Sequence, residues 1–276
     1  MLSGTLPSEW SSMTHMSTLA LHSNSKPSGT LPPEWSTMSH LVALYIAGTN
    51  ISGALPSSWN NMTSMLDLVL HSNPMLSGTL PPEWSSMTNV WRLHIFETNI
   101  SGTLPSSWGN MTNMLYLQLH TNPMLSGTLP QEWSSMSQMI ILYIFGANIS
   151  GTLPSSWSSM IMMSNFQLCP NPMLSGTLPR EWSRMSRLRA LTICGTSIVG
   201  SLQPEWSSMS MLMTLNIFGT NISGTLPSTW SSMTSMTALR LFSNPCLSGS
   251  LPPEWSSMSQ LRVLYIYATN VSGTIC

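Results

Sequence analysis

Three histidines and their charged neighbours are the residues of this chain best suited to metal chemistry. They form the following group: His71, His94, His120, Asp67, Arg92 and Glu97. Imidazole nitrogens are common ligands of transition metals. If the three histidines occupy successive strands about 5 Å apart, however, the outer two lie about 10 Å apart, which is long for one ion. The sequence therefore favours a solvated polar patch, with no metal and no cofactor.

The other charged residues do not form a catalytic pattern. Seven of the nine acidic residues are the Glu that precedes a recurring Trp, as at Glu83 and Glu132, which indicates a structural position. The sequence contains no nucleophile elbow, paired carboxylates or phosphate-binding loop, so we predict no enzymatic activity. One cluster of arginines consists of Arg180, Arg184, Arg187 and Arg189. A solvated face is its default interpretation, and an anionic partner is the alternative.

The low charge of the chain argues against several classes of partner. Charged residues make up 6% of the 276 residues, and the formal net charge is −1. Nucleic acids and anionic membranes both require a basic surface, so neither is expected as a partner. No apolar run approaches the roughly 18 residues that span a bilayer, so we expect no direct membrane insertion.

Tryptophan recurs along the whole chain at a nearly constant interval of 24 or 25 residues. The recurring residues are Trp10, Trp35, Trp59, Trp84, Trp108, Trp133, Trp157, Trp182, Trp206, Trp230 and Trp255. Each lies in a version of the segment LSGTLPPEWSSM, which begins at Leu76, and Leu-x-Leu pairs fall between the tryptophans. This period is typical of a leucine-rich-repeat solenoid, in which each repeat packs only on its neighbours.

One repeat indicates three kinds of local structure. Pro56, Trp59, Met62 and Met65 are spaced by three, which is the period of a 3-10 helix. The segment 68–70 then predicts a short strand with both leucines inward. We therefore predict an α/β solenoid: a right-handed arc of about eleven repeats with a parallel inner sheet, 3-10 segments on the convex side and a second strand at SGTLP. Both ends of the sequence fall within a repeat, so the single domain 1–276 is expected to be a piece of a longer chain.

A polar residue follows each predicted strand. Asn73 lies where a buried amide can bond the backbone of the turn. Down the chain this position alternates between Asn and Thr, with Ala147 in place of one Thr, in step with the spacings of 25 and 24 residues. The structural unit is therefore a pair of repeats, and the alternation breaks once, near Gln203.

Four cysteines occur without the spacing of a metal-binding motif. Cys169 and Cys194 occupy the same position in successive repeats, which would place them about 5 Å apart on adjacent strands. That distance permits a disulfide, but parallel Cβ vectors often spoil its geometry, so two thiols are the favoured expectation. Cys246 and Cys276 have no predicted partner.

The run LxxLxLxxNxLSGxLPxxWxxM resembles the plant-type leucine-rich repeat, whose Leu-x-Gly-x-Ile-Pro segment adds a second short strand. The segment SGTLPPEWSSM is most similar to the leucine-rich repeats of trypanosomatid surface antigens and proteophosphoglycans. The resemblance covers essentially the whole chain and implies a secreted or cell-surface glycoprotein, without enzymatic activity, that serves in adhesion or recognition. The chain departs from that pattern in its 24 methionines and its lack of cysteine caps.

The exposed side of the inner sheet is the predicted binding surface, because a curved solenoid offers a broad concave face there. Two positions of each repeat point to it, namely the residue between the paired leucines and the residue after them. They are rich in aromatic residues and His, which suit contacts with protein or glycan. The predicted binding residues are Tyr45, His71, His94, Phe96, His120, Tyr143, Phe145, Phe218, Arg240, Phe242, Tyr265 and Tyr267. The alternative is that these rings stack on one another and bind nothing.

Seven Asn-x-Ser/Thr sequons predict N-glycosylation. The sites are Asn50, Asn61, Asn99, Asn110, Asn148, Asn221 and Asn270. Five of them, all except Asn61 and Asn110, fall at one outward turn position beside the Thr of the alternating column. Their glycosylation would require passage through a secretory pathway.

Ser and Thr flank Gly in the recurring SGT segment, as at Ser77 and Thr79. Residues two apart on a strand share a face, so stacking would give two parallel ranks of hydroxyl groups. These ranks resemble the threonine arrays of ice-binding solenoids, although a plain structural role in the second strand is the favoured interpretation.

Three functions follow, in order of preference. The first is a secreted or surface-displayed module for adhesion or recognition, which binds protein or glycan on its concave face. The second is an extracellular scaffold or fibre built by end-to-end self-association. The third is ice binding through the Ser and Thr ranks.

Overall fold

A computed structural model describes residues 2–24 and 26–273, and its repeats combine two kinds of strand with a 3-10 helix. The strands of the long sheet span Thr18–Ala20, Ala43–Tyr45, Asp67–Val69, Arg92–His94, Tyr116–Gln118, Ile141–Tyr143, Asn165–Gln167, Ala190–Cys194, Thr214–Phe218, Ala238–Arg240 and Val263–Tyr265. The second strands span Ser3–Thr5, Lys26–Ser28, Ser52–Ala54, Met75–Ser77, Gly102–Thr103, Leu125–Thr128, Asn148–Thr152, Leu174–Ser175, Val199–Ser201, Asn221–Thr225, Asn244–Ser250 and Thr269–Ser272. The 3-10 helices span Ser8–Ser12, Pro33–Thr37, Ser57–Asn61, Pro82–Ser86, Ser106–Asn110, Gln131–Ser135, Ser155–Ser159, Arg180–Arg184, Pro204–Ser208, Ser228–Ser232 and Pro253–Ser257.

The long sheet contains eleven parallel strands in the order of the sequence. Its register aligns equivalent leucines, since Leu44 pairs with Leu68 and Leu68 with Leu93. The second strands form no single long sheet, but pair with one another in separate sheets of two or four strands. This architecture confirms the predicted leucine-rich-repeat solenoid with its inner sheet, 3-10 segments and second strand. In the described part of the chain, no helix combines the length and the hydropathy that a membrane span needs.

The residues spaced by three fill the interior of the solenoid, as the sequence predicts. Trp59, Met62 and Met65 are all 0% exposed, and so is Leu68 in the following strand. Neighbouring indoles lie nearly parallel: the rings of Trp59 and Trp84 have centroids 6.3 Å apart and planes 7° apart. Tryptophan and methionine therefore form columns in the core, and between Trp157 and Trp182 the ring of Phe166 packs against both indoles.

Each buried indole also bonds the preceding repeat. Trp59 Nε1 donates to the carbonyl oxygen of Pro32 at 3.0 Å, and Trp84 Nε1 donates to that of Pro56 at 3.0 Å. A buried N–H without a partner costs free energy, so this bond is what permits the polar indole nitrogen in an apolar core.

A buried Asn–Thr pair accompanies the alternation between 25- and 24-residue spacings. The Asn73 amide donates to the carbonyl oxygens of Ile46 and Leu70, at 2.6 and 2.8 Å. Asn73 Oδ1 accepts from the backbone N–H and the hydroxyl of Thr49, at 3.1 and 2.5 Å. Because Asn73 closes the turns of its own repeat and of the preceding Thr repeat, two repeats form one hydrogen-bonded unit. Asn171 follows a repeat that carries Ala147 instead, and its Oδ1 accepts from the Ile149 N–H at 3.2 Å.

The pairing fails at Thr196, where the alternation in the sequence breaks. The next repeat carries Thr220 rather than Asn at the equivalent position. Thr220 instead donates its hydroxyl hydrogen to Asn244 Oδ1 at 2.5 Å. The buried hydroxyl of Thr196 is consequently left without a hydrogen-bond partner.

The SGT segment departs from a regular strand at its glycine. Gly102 has a φ of +77°, and a Cβ atom there would meet the methyl carbon of Thr79 at 2.8 Å, so only glycine fits. Ser101 is half-buried and donates to the carbonyl oxygen of Gly78 at 3.0 Å, whereas Thr103 is exposed. Instead of the expected two equivalent ranks of hydroxyl groups, the segment therefore offers one exposed rank, that of the threonines.

The expectation of two thiols at Cys169 and Cys194 is wrong. A disulfide joins these residues across adjacent repeats, with their Cα atoms 4.6 Å apart. That separation lies within the usual range for disulfides, and the equivalent positions bring the two sulfurs together. Cys246 carries a free, exposed thiol, and Cys276 lies outside the described residues.

Thr98→Val and Thr196→Val form a matched pair that tests the Asn–Thr unit. The Thr98 hydroxyl donates to Asn122 Oδ1 at 2.6 Å. We expect its loss to lower the free energy of unfolding by about 1–2 kcal/mol, because a buried acceptor loses a donor. Thr196 has no such bond to lose, so its variant should be neutral or stabilising. Urea denaturation followed by circular dichroism measures both variants, and equal destabilisation would contradict the pairing.

Candidate functional site

The twelve predicted binding residues lie on the solvent side of the long sheet, which we call the concave face. The strands position them because their leucines and isoleucines turn inward, as Leu93 and Ile95 do on either side of His94. Tyr265 and Tyr267 are 46% and 60% exposed, and the other ten residues are half-buried. All twelve predicted binding residues are thus at least partly exposed to solvent.

Rings of the residues that follow the strands form a stack along the concave face. The centroids of His71 and Phe96 are 4.2 Å apart, those of Phe96 and His120 are 4.2 Å apart, and those of His120 and Phe145 are 4.4 Å apart. A second stack consists of Phe218, Phe242 and Tyr267, with centroids 4.3 and 4.8 Å apart. Adjacent rings cover one another's faces, so both stacks present mainly ring edges to a ligand.

A chain of hydrogen bonds fixes the tautomer of His71. Ser72 Oγ donates to Glu97 Oε2 at 2.6 Å, so it accepts from His71 Nδ1, 3.0 Å away. Burial lowers the pKa of His71, which favours the neutral ring. The proton then resides on Nδ1, and Nε2 carries a free lone pair. His71 therefore offers a hydrogen-bond acceptor at the concave face.

The histidine group does not surround one ion position. Phe96 stands between the rings of His71 and His120 and stacks on both. His94 lies on the strand itself, with its centroid 6.0 Å from that of Phe96. Across residues 2–24 and 26–273, no three His, Cys, Asp or Glu side chains are grouped so that they could hold a metal ion.

A buried carboxylate anchors the polar end of the concave face. Asp67 is 4% exposed and accepts from Tyr45 Oη at 2.7 Å and from Arg92 Nε at 2.7 Å. A second bond from Arg92 Nη2 makes the ion pair bidentate. The hydrogen bond to Asp67 raises the pKa of Tyr45 and of Arg92. An alignment of the repeats places Asp67 and Arg92 at the same position, just before the first inward leucine. The sequence could therefore have predicted this ion pair, but sequence reasoning missed it.

His94 is half-buried beside this cluster. Burial, reinforced by the positive charge of Arg92, lowers the pKa of His94 to about 4. Its Nε2 is buried and has no hydrogen-bond partner. A depression of about 430 Å³ opens above these residues, and its lining includes His22, Tyr45, His71, Arg92 and His94. The ring stack and the charged cluster thus meet in one concavity.

All seven sequon asparagines are exposed. At the shared turn position, Asn148 Nδ2 donates to the carbonyl oxygen of Pro123 at 2.9 Å, and Asn270 Nδ2 donates to that of Pro245 at 2.7 Å. Asn61 and Asn110 instead end two of the 3-10 helices. The sequons therefore occupy two separate surface positions, neither of them on the concave face.

No protein-family model matches the chain, and no curated protein matches its sequence. Solved structures do match it. The plant peptide hormone receptor RGFR1, in complex with RGF2, is 26% identical over 99% of this chain and 43% of the receptor chain, with a TM-score of 0.93. A leucine-rich-repeat protein of Leptospira interrogans is 23% identical over 98% of this chain and 65% of that chain, with a TM-score of 0.79.

A plant ice-binding protein is also similar in structure. It is 22% identical over 93% of this chain and 74% of that chain, with a TM-score of 0.69. The chain spans less than half the length of the RGFR1 chain, at 43%. Plant receptor ectodomains and a bacterial protein thus share one architecture with this chain, and that architecture is the leucine-rich-repeat solenoid.

His94→Gln should make the fold less sensitive to acid. A histidine with a pKa of about 4 when folded and about 6.5 when unfolded binds more protons in the unfolded state between those values. The natural chain should therefore lose stability as the pH falls from about 6.5 to about 4, whereas the variant should lose less. Gln118 occupies the equivalent position of the next repeat, so the fold should accept glutamine. Unfolding midpoints across this pH range measure the difference, and identical profiles would contradict it.

Proposed function

We propose that the chain is a non-enzymatic recognition protein that binds a peptide segment of a protein partner along its concave face. The observation that carries the proposal is the stack of His71, Phe96, His120 and Phe145. The first ring of this stack, His71, lines the same depression as Tyr45 and Arg92 of the charged cluster. Because the sheet holds all these groups in place, little side-chain entropy is lost on binding.

The ring stack suits a peptide better than a glycan. Sugar rings pack against exposed aromatic faces, and here those faces are covered by neighbouring rings at 4.2–4.4 Å. Peptide side chains can pack against ring edges, and a backbone N–H can donate to the lone pair on His71 Nε2. Glycan binding is therefore the less favoured form of the proposal.

Arg92 supplies a charged anchor for such a peptide. Its Nε and Nη2 atoms are bonded to Asp67, which fixes the plane of the guanidinium. The Arg92 side chain is still 32% exposed, so its remaining N–H groups can donate to a carbonyl or carboxylate of the ligand. Plant receptors for peptide hormones are among the proteins of similar structure, which supports a protein ligand.

A secreted or cell-surface location, with a role in adhesion, is part of the same proposal. Disulfides such as Cys169–Cys194 persist in oxidising compartments. The exposed sequons leave room for N-linked glycans. The similarity of the SGTLPPEWSSM segment to trypanosomatid surface antigens also supports a secreted or cell-surface location.

Replacing two concave-face rings should remove ligand binding. Tyr143 and Phe145 have ring centroids 6.2 Å apart and are both half-buried, so the double variant Tyr143→Ala/Phe145→Ala should still fold. We expect at least a tenfold loss of affinity for peptides selected on the immobilised chain, since aromatic residues dominate such interfaces. Met124→Ala, at an exposed site off this face, is the control. Unchanged binding by the double variant would indicate that the peptides bind at another surface of the protein.

Ice binding is a second candidate, favoured by the exposed rank of threonines. Thr103, Thr128 and Thr152 occupy equivalent positions on neighbouring second strands and are all exposed. In the register of these strands, Thr103 pairs with Ser126 and Thr128 pairs with Ser150, so the threonines of successive repeats are offset along the strands. A plant ice-binding protein is similar in structure to the chain. The serine rank, whose hydroxyls already donate to backbone carbonyls, would contribute little.

Thermal hysteresis of the purified chain tests this candidate. If the threonine rank binds ice, freezing should occur below the melting point, and Thr128→Lys should reduce the gap because a long charged side chain interrupts the rank. Ser126→Ala, which removes a half-buried hydroxyl bonded to the Gly102 carbonyl, should leave the gap unchanged. A chain without any gap would eliminate this candidate.

A further inference from the structure

Half of the Lys and Arg residues of the chain lie in one repeat. Of the eight, four fall within the segment 180–189, namely Arg180, Arg184, Arg187 and Arg189. Arg180 pairs with Glu181 at 3.3 Å. The side chains of Arg184, Arg187 and Arg189 are exposed and form no ion pair within residues 2–24 and 26–273. Glu181 also interacts electrostatically with Arg184, so the uncompensated positive charge of this repeat is carried mainly by Arg187 and Arg189.

The backbone fixes the positions of Arg187 and Arg189. Leu188 between them is 0% exposed, so the two arginines both turn outward. The Arg189 N–H donates to the carbonyl oxygen of Ser164 at 2.8 Å, and the Arg189 carbonyl accepts from the Met213 N–H at 2.9 Å. The repeats on both sides therefore hold the backbone of Arg189 in place, and Arg187 lies two residues before it.

A notch of about 430 Å³ adjoins these two arginines. Its lining residues are Ile140, Met162, Ser164, Arg187, Arg189 and Met211. Met162 and Met211 stand at the position of Arg187 in the preceding and following repeats, and Met211 is 38% exposed. Methionine adapts its shape to a ligand, so the notch combines two cationic groups with adaptable apolar walls.

We propose that this notch binds an extended, acidic peptide segment of a protein partner, with glutamates two residues apart. Residues i and i+2 of an extended peptide share a face and lie about 6.5–7 Å apart, so two such glutamates can each reach one of the two arginines that line the notch. Each guanidinium can bond one carboxylate through two parallel N–H groups. The methylene groups of the glutamates pack against the two methionines. A sulfated polysaccharide offers the charge but not these apolar groups.

Fluorescence anisotropy with the full chain tests the proposal. The probe is a fluorescein-labelled peptide with a Glu-x-Glu core in a Gly/Ser context, and the Gln-x-Gln peptide is its neutral counterpart. We expect the acidic peptide to bind and the neutral one not to. Arg187→Gln/Arg189→Gln should weaken binding roughly 100-fold, or about tenfold for each charged contact.

Arg262→Gln is the matched control variant. Arg262 occupies the position of Arg189 in a later repeat, and its N–H donates to the carbonyl oxygen of Thr237 at 2.9 Å. Gln260 stands where the second arginine would be, so this repeat lacks the pair. The control variant should bind the acidic peptide as tightly as the natural chain. Tyr143→Ala/Phe145→Ala should bind it equally well, which separates this site from the concave face.

Three results would overturn the proposal. They are equal binding of the neutral peptide, an equal loss in Arg262→Gln, and binding of a sulfated oligosaccharide by a chain that does not bind the acidic peptide. The last result would assign the arginines to a glycan. Circular dichroism of each variant excludes loss of fold as the cause of any change.

Discussion

The hydrogen bond from each buried indole to the backbone of the preceding repeat is the constraint on which the rest of the structure depends. An indole N–H in an apolar core must have an acceptor, and no group of its own repeat supplies one. The acceptor for Trp108 Nε1 is the carbonyl oxygen of Pro81, at 2.9 Å. A repeat that shifted along the solenoid would leave this N–H unsatisfied. Because the acceptor belongs to the backbone, Gln203 can replace proline, and it accepts from Trp230 at 2.9 Å.

The register that satisfies the indoles also builds the candidate sites. Side chains at the same position of successive repeats form a column. The chemistry of a column therefore depends on which residue types occupy that position in neighbouring repeats. His71, Phe96 and His120 form the ring stack in this way, and Asp67 meets Arg92 in another column. In the column of Arg187, both neighbouring repeats carry methionine, which leaves that charge unpaired.

Most of the fold could be predicted from the sequence because the period is so regular. The inward leucines, the Trp and Met columns and the buried Asn73 all follow from spacing alone. The failures share one cause, since they depend on side-chain direction rather than on position in the repeat. The positive φ of Gly102 separates Ser101 from Thr103, and the disulfide at Cys169 depends on how the Cβ vectors approach. An alignment of the repeats could have predicted the ion pair of Asp67 with Arg92. The tautomer of His71, in contrast, follows only from its contact with Ser72 in the structure.

Hydrogen–deuterium exchange of the indole Nε1–H groups, followed by NMR on protein with labelled tryptophan, tests the central constraint most directly. Ten indoles bond a preceding repeat, namely Trp35, Trp59, Trp84, Trp108, Trp133, Trp157, Trp182, Trp206, Trp230 and Trp255. These should exchange slowly, and the half-buried Trp10 and Trp91 should exchange much faster. Ten indoles that exchange as fast as free tryptophan would contradict the account, because the repeats could not then be held together by these bonds.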